Sequence, residues 1–96
     1  MRRSEIEKEL SEKFNLHTSQ SEQILDTIID QMTQALEDDG RIEIRGFGSF
    51  FTKKYEAYSG RNPRTGKPVH VPEKKLPHFR PSKELIKKLN DEIKPY

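Results

Sequence analysis

Nine lysines and arginines stand between residues 53 and 83: Lys53, Lys54, Arg61, Arg64, Lys67, Lys74, Lys75, Arg80 and Lys83, against only Glu56 and Glu73. Cations alone break no bonds, so the chemistry open to this run is non-covalent binding of phosphates. A phosphate backbone attracts such a surface whatever its sequence, and the counterions released make the binding salt-dependent. The competing use of the same charges is defensive, because lysines along a strand keep its edge from pairing with another chain. At the centre of the run lies Gly60-Arg61-Asn62-Pro63-Arg64-Thr65-Gly66. As a turn residue Pro63 is explained by its preset φ. A rigid apolar wedge between cations also suits insertion between base pairs from the minor groove, which unstacks one step and kinks the duplex. Arginine is favoured beside such a wedge because a narrow minor groove concentrates negative potential.

Other chemistries are poorly provided for. His17, His70 and His78 have neither the i, i+4 spacing nor the carboxylate company of a metal site, and there is no cysteine. No Gly-rich phosphate loop, nucleophile elbow or carboxylate pair is present, and so apolar-poor a chain is ill suited to build a water-excluding pocket. We therefore expect no enzyme activity, no metal, no cofactor and no small-molecule substrate. A helix-turn-helix after Thr18 is rejected, since its second helix would carry Glu22, Asp26, Asp30 and Glu37 and no Lys or Arg. Phe51, Tyr55 and Tyr58 interleave with basic residues, a pattern shared with single-strand binders that stack bases. Ordinary cross-strand packing explains it more simply.

The elements that must position these residues belong to a short chain. Its 96 residues make one domain at most, and 30% of them are hydrophobic while 35% are charged. Globular domains run nearer about 45–50% apolar and about 25% charged, so this chain is partly extended, borrows a core from a second chain, or both. Residues 1–40 carry four Lys/Arg against ten Asp/Glu, a net of −6, and residues 41–96 carry fourteen against six, a net of +8. One surface is thus built to meet a polyanion while the other faces water. No apolar run approaches the roughly 18 residues of a membrane span, and the start MRRSEIEKE is no signal peptide. A soluble, intracellular protein is expected.

Two helices open the chain. Ser4 with Glu7 has capping-box spacing before Ile6, Leu10 and Phe14, and Ser19 with Glu22 repeats it before Ile24, Leu25, Ile28, Ile29, Met32 and Leu36. Asp38-Asp39-Gly40 ends the second. The period then falls to 2, with Ile42 and Ile44 alternating with Arg41, Glu43 and Arg45. Gly46-Phe47-Gly48 turns the chain, and a second strand runs from Ser49 through Tyr58 to a hairpin tip. Val69 and Val71 lie on a returning strand that ends near Phe79. Five of the six prolines (63, 68, 72, 77, 81) lie within or just after this hairpin. Proline donates nothing to a ladder, so these strands are not central in a wide sheet. A nine-residue limb spans roughly 30 Å, and with no core beneath it the ribbon should project. Ser82 can cap a last helix carrying Leu85, Ile86, Leu89 and Ile93.

The runs GRIEIRGFGSF at 40–50, GRNPRTGKPV at 60–69 and PHFRPSKEL at 77–85 together resemble the bacterial histone-like HU and integration host factor family, the integration host factor branch more closely. The likeness covers essentially the whole chain in order. It implies an α+β fold assembled as an intertwined dimer, with two N-terminal helices, a short antiparallel sheet bearing a long protruding β-ribbon arm, and a C-terminal helix. It divides a single domain into a helical dimerisation part at 1–39, sheet and arm at 41–81 with the tip at about 60–67, and a helix at 82–94. The partner would be double-stranded DNA, and the second subunit either another copy or a paralogue. Phe47, Phe50 and Phe79 would lie in the shared dimer core. Pro63 would intercalate, with Arg61, Asn62, Arg64 and Lys67 lining the groove. Arg45, Lys53, Lys54, Lys74, Lys75, Arg80 and Lys83 would contact DNA nearer the body, and Ser4 and the helix starts could offer N–H groups to phosphates. The implied function is architectural: wrapping the minor groove and bending DNA, in nucleoid organisation, recombination and transcription, in the cytoplasm at the bacterial nucleoid. The alternative is a protein-interaction module whose basic arms clasp an acidic partner. It predicts little loss of duplex binding when Arg61 and Arg64 become Ala.

Overall fold

The computed structural model describes residues 1–91. The order is α1 (Arg3–Phe14), α2 (Thr18–Glu37), β1 (Ile42–Ile44), β2 (Gly48–Tyr55), β3 (Tyr58–Arg61), β4 (Pro68–Val71), β5 (Lys74–Pro81) and α3 (Lys83–Asn90). The α+β class is as expected. Of the helix expected over 82–94, residues 92–94, and with them Ile93, lie outside the described ones.

Neither expected capping box forms: α1 has no side-chain cap, and the box of α2 is made by other residues. α1 starts at Arg3 behind Arg2, so Ser4 sits inside its first turn. The Arg3 guanidinium explains the early start, because it bonds Glu7 Oε2 at 3.0 Å, the Asp26 carboxylate and the Glu22 carbonyl. Those carboxylates, Asp26 first, hold its pKa above the ordinary value. α2 is capped by His17 rather than Ser19, with Gln20 Oε1 accepting from the His17 N–H at 2.9 Å. Where the helices cross, Ser11 Oγ and Ser21 Oγ are 2.6 Å apart and Ser21 is fully buried. α2 stops as expected: Asp39 takes a φ of 59° and the Gly40 N–H reaches back to the Ala35 carbonyl at 2.7 Å. A Cβ on Gly40 would stand 2.8 Å from that same oxygen.

β1, β2 and β5 form an antiparallel sheet in that order. Pro77 therefore lies on an edge strand, where a missing donor is tolerated. β3 and β4 form a second ladder that continues the first in the same register. Tyr55 pairs with Lys74, and Tyr58 with Val71, so two residues separate the ladders on each limb. Counting across, Ala57 meets Pro72, which has no N–H to give, and Glu56 meets Glu73, a like-charged pair that disfavours pairing. The single long strand expected on each limb is thus interrupted without a slip. At the tip the Asn62 N–H donates to the Lys67 carbonyl at 2.9 Å and the Gly66 N–H to Asn62 O at 2.7 Å. Asn62 Oδ1 accepts from the Arg64 N–H at 2.9 Å, and Gly66 supplies a φ of 73°.

The chain is far from compact. Its radius of gyration is 19.9 Å and its extents are 59 × 47 × 27 Å, where a globular chain of this length would have a radius of roughly 12.5 Å. Its accessible surface is 8803 Å² against roughly 5,700 Å² for a folded monomer of this mass. Among the described residues Leu25 is the one buried hydrophobic, while Ile28 is 48% and Leu89 71% exposed. The apolar stripe of α2 is only part-covered among the described residues, with Ile24, Ile28 and Ile29 exposed.

Candidate nucleic-acid interface

Register sorts the sheet's side chains into two faces. On the inner face Ile42, Phe50 and Phe79 form one row and Ile44, Gly48 and Pro81 the next. Phe50 and Phe79 stack at 4.7 Å between ring centroids, and Phe47 joins them at 6.5 and 5.3 Å. The Phe79 ring lies over Gly48, whose missing Cβ would be 2.7 Å from it. All three phenylalanines thus come together, yet Phe47 is 43% and Phe79 40% exposed. Among the described residues the cluster is only partly covered, Phe50 being half-buried.

The outer face is polar and cationic. Its rows are Glu43, Ser49 and Arg80, then Phe51 and His78, then Lys53 and Leu76, then Tyr55 and Lys74. Arg41, one residue before β1, extends the row of Phe51. Phe51 and His78 stack at 5.8 Å, and Tyr55 Oη lies 3.2 Å from His78 Nε2. Arg41 and Arg80 place their guanidinium carbons 6.0 and 5.5 Å from the centre of the Phe51 ring. The tyrosine and phenylalanine seen in the sequence do pack across strands. Arg45 is exposed in the turn closed by the Phe47 N–H and Ile44 carbonyl, 2.9 Å apart. It shares an open hollow with Ser49, Arg80 and Ser82. Ser82 caps α3 by accepting from the Leu85 N–H at 3.0 Å, and Lys83 stands exposed beside it.

The base of the arm separates lysines that are adjacent in sequence. Lys53 and Lys74 fall on the outer face, Lys54 and Lys75 on the inner one. Lys54 Nζ pairs with Glu73 at 3.2 Å. Lys75 Nζ reaches Asp39 Oδ1 at 2.7 Å and the Glu37 carbonyl at 3.0 Å. The hydrogen bond and charge of Lys75, with a smaller pull from Lys54, hold the Asp39 carboxyl below its ordinary 3.8. At the far end Arg61, Pro63, Arg64 and Lys67 are exposed, while Asn62 is half-buried by its turn bonds.

Sequence reasoning missed Arg41. It alternates with Ile42 and Ile44, and that period already assigned it to the face opposite them.

A family model described as bacterial DNA-binding protein matches residues 1–90. Among curated relatives, the integration host factor beta subunit of Marinobacter nauticus is 46% identical over 84 residues, covering 88% of this chain and 86% of that protein. The beta subunit of Burkholderia mallei is 43% identical over 91 residues, covering 94% and 85%. Among solved structures, Anabaena HU in a cocrystal with DNA superposes with a TM-score of 0.78 at 26% identity, covering 93% of this chain and 97% of that one. A Thermotoga maritima HU mutant gives a TM-score of 0.66 at 29% identity, covering 93% and 99%.

Proposed function

The chain belongs to the bacterial DNA-binding protein family of HU and the integration host factor subunits, and from that premise we propose that it works as a dimer whose cationic outer face and paired arms hold and bend duplex DNA. One observation carries the reading: a single sheet presents cations on one face and a partly covered phenylalanine cluster on the other. The second face calls for another subunit, and the first for a polyanion. Together they make an architectural protein that does not act as an enzyme.

The mechanism follows from the two ends of the arm. Near the body Arg41, Arg45, Lys53, Lys74, Arg80 and Lys83 contact phosphates, which fixes orientation without reading bases. Lys54 and Lys75 brace the arm against Glu73 and α2 and add positive potential from behind. At the tip Pro63 enters a base step from the minor groove, with Arg61, Asn62, Arg64 and Lys67 along the groove walls. Unstacking costs a few kcal/mol, offset by the surface that a bent duplex wraps. Site preference then arises from deformability and groove width more than from base-edge hydrogen bonds. The interruption at Ala57 and Pro72 allows the outer arm to follow the groove independently of its base. Such a protein works on the nucleoid in the cytoplasm, organising DNA and assisting recombination and transcription.

Duplex binding measured across a salt series tests this reading. The wild-type chain is expected to bind with a steep salt dependence. Replacing Arg61 and Arg64 by Ala should weaken binding and lower the salt slope by about one unit per lost phosphate contact. Unchanged duplex binding in that variant would favour an acidic protein as the partner of the arms.

A further inference from the structure

Phe51 is the one large aromatic at the centre of the outer face, and two guanidinium groups stand within 6.0 Å of its ring centre. Register puts them there: Arg41 extends the row of Phe51 beyond β1, and Arg80 is its diagonal neighbour on β5, next to its partner His78. Their guanidinium carbons stand 6.0 and 5.5 Å from one ring centre. His78 stacks on the same residue and is held in turn by Tyr55 Oη. Arg41 is oriented further by Glu43, 3.0 Å from its Nε, and by Ser49 Oγ, 3.3 Å from Nη2. A guanidinium is planar and weakly hydrated, so it rests flat on a ring while its N–H groups stay free at the edge for a phosphate.

We propose that Phe51 is a positioning residue for DNA binding, a fixed platform that holds Arg41 and Arg80 as a preset pair of phosphate clamps. The inference rests on the DNA-binding reading above and deepens it. Two long side chains that were free to move would lose rotamer freedom when a phosphate arrived. Beside Phe51 part of that freedom is already given up in the unbound protein, so more of the contact appears as affinity. A ring that merely filled space would leave binding indifferent to its aromatic character.

The test uses the full chain and a duplex of about 40 base pairs at several salt concentrations. Phe51→Leu keeps an apolar side chain and every charge. It should weaken binding about five- to tenfold with the salt slope unchanged, and Phe51→Tyr should restore it. Arg80→Lys keeps the charge but has no planar group to set on the ring, and should lose less, since Arg41 keeps its place by Phe51. Combining Phe51→Leu with Arg80→Lys should be little worse than Phe51→Leu alone, because that change already frees Arg80. Wild-type affinity in Phe51→Leu, or losses that simply multiply, would overturn the proposal. If Phe51→Leu does not fold, Arg80→Lys and Arg41→Lys decide alone, and wild-type affinity in both overturns it. Failure of the wild-type chain to bind duplex DNA would instead remove the reading on which the proposal rests.

Discussion

Lys75 Nζ lies 2.7 Å from Asp39 Oδ1, so a side chain at the base of the arm closes the C-terminal end of α2. The same ammonium also meets the Glu37 carbonyl, where a cation suits the negative pole of the helix. The contact ties the base of the arm to the end of α2.

The pair has a pH signature. Asp39 is held below its ordinary 3.8, first by the hydrogen bond from Lys75. Because its folded value is the lower one, its contribution to stability is present above the ordinary value and is lost as the pH falls through the folded one. Carboxyl chemical shifts followed by NMR should show Asp39 titrating below its ordinary 3.8. In Lys75→Met it should move back up toward 3.8, and an unmoved midpoint would mean that the pair does not persist in solution.

Phe50 and Phe79 face one another at 4.7 Å, with Phe47 against both, and the cluster is incomplete in one chain. Replacing Phe47 by Ala should abolish the dimer, at a cost of about 3–5 kcal/mol for each large core aromatic removed. Sedimentation equilibrium measures this directly. A stable folded dimer in the variant would count against the shared core.

Face assignment separates two kinds of lysine and arginine. Arg80→Ala on the outer face should weaken duplex binding and lower the salt slope by about one. Lys75→Ala on the inner face should change the slope by much less, and alter the orientation of the arm instead. Equal slope changes in a salt titration of both would show that the faces do not divide the work this way.

Much of this was legible in the sequence, and the reasons are local. The fall from period 3.6 to 2 at Ile42 marked the helix-to-sheet boundary. Asn62 and Gly66 marked the tip because each does there what its chemistry favours: an acceptor for a backbone N–H two residues on, and a positive φ. The prolines announced an edge strand. Non-local choices were hidden. Whether Lys53 or Lys54 faces outward depends on pairing with Leu76 and Lys75, which no local signal encodes. The caps of α1 and α2 shifted because Arg3 reaches Asp26 and Gln20 turns back to His17, contacts that outweigh the Ser-x-x-Glu spacing. The interruption of the arm needed both limbs in register before Glu56 and Glu73 could be seen to meet.

Pro63 stands exposed at the tip between Arg61 and Arg64. Pro63→Ala keeps those cations, so it should reduce the bend far more than the first encounter with DNA. Ring closure by ligation gives the bend angle, and an unchanged angle would remove the wedge while leaving the basic arm.

DNA bending is read out by energy transfer between dyes at the two ends of a duplex of about 40 base pairs, too short to bend appreciably by itself. On adding protein a saturable rise in transfer is expected, because wrapping by two arms brings the ends together. Saturable binding with no rise in transfer would contradict it, leaving a protein that coats DNA without bending it.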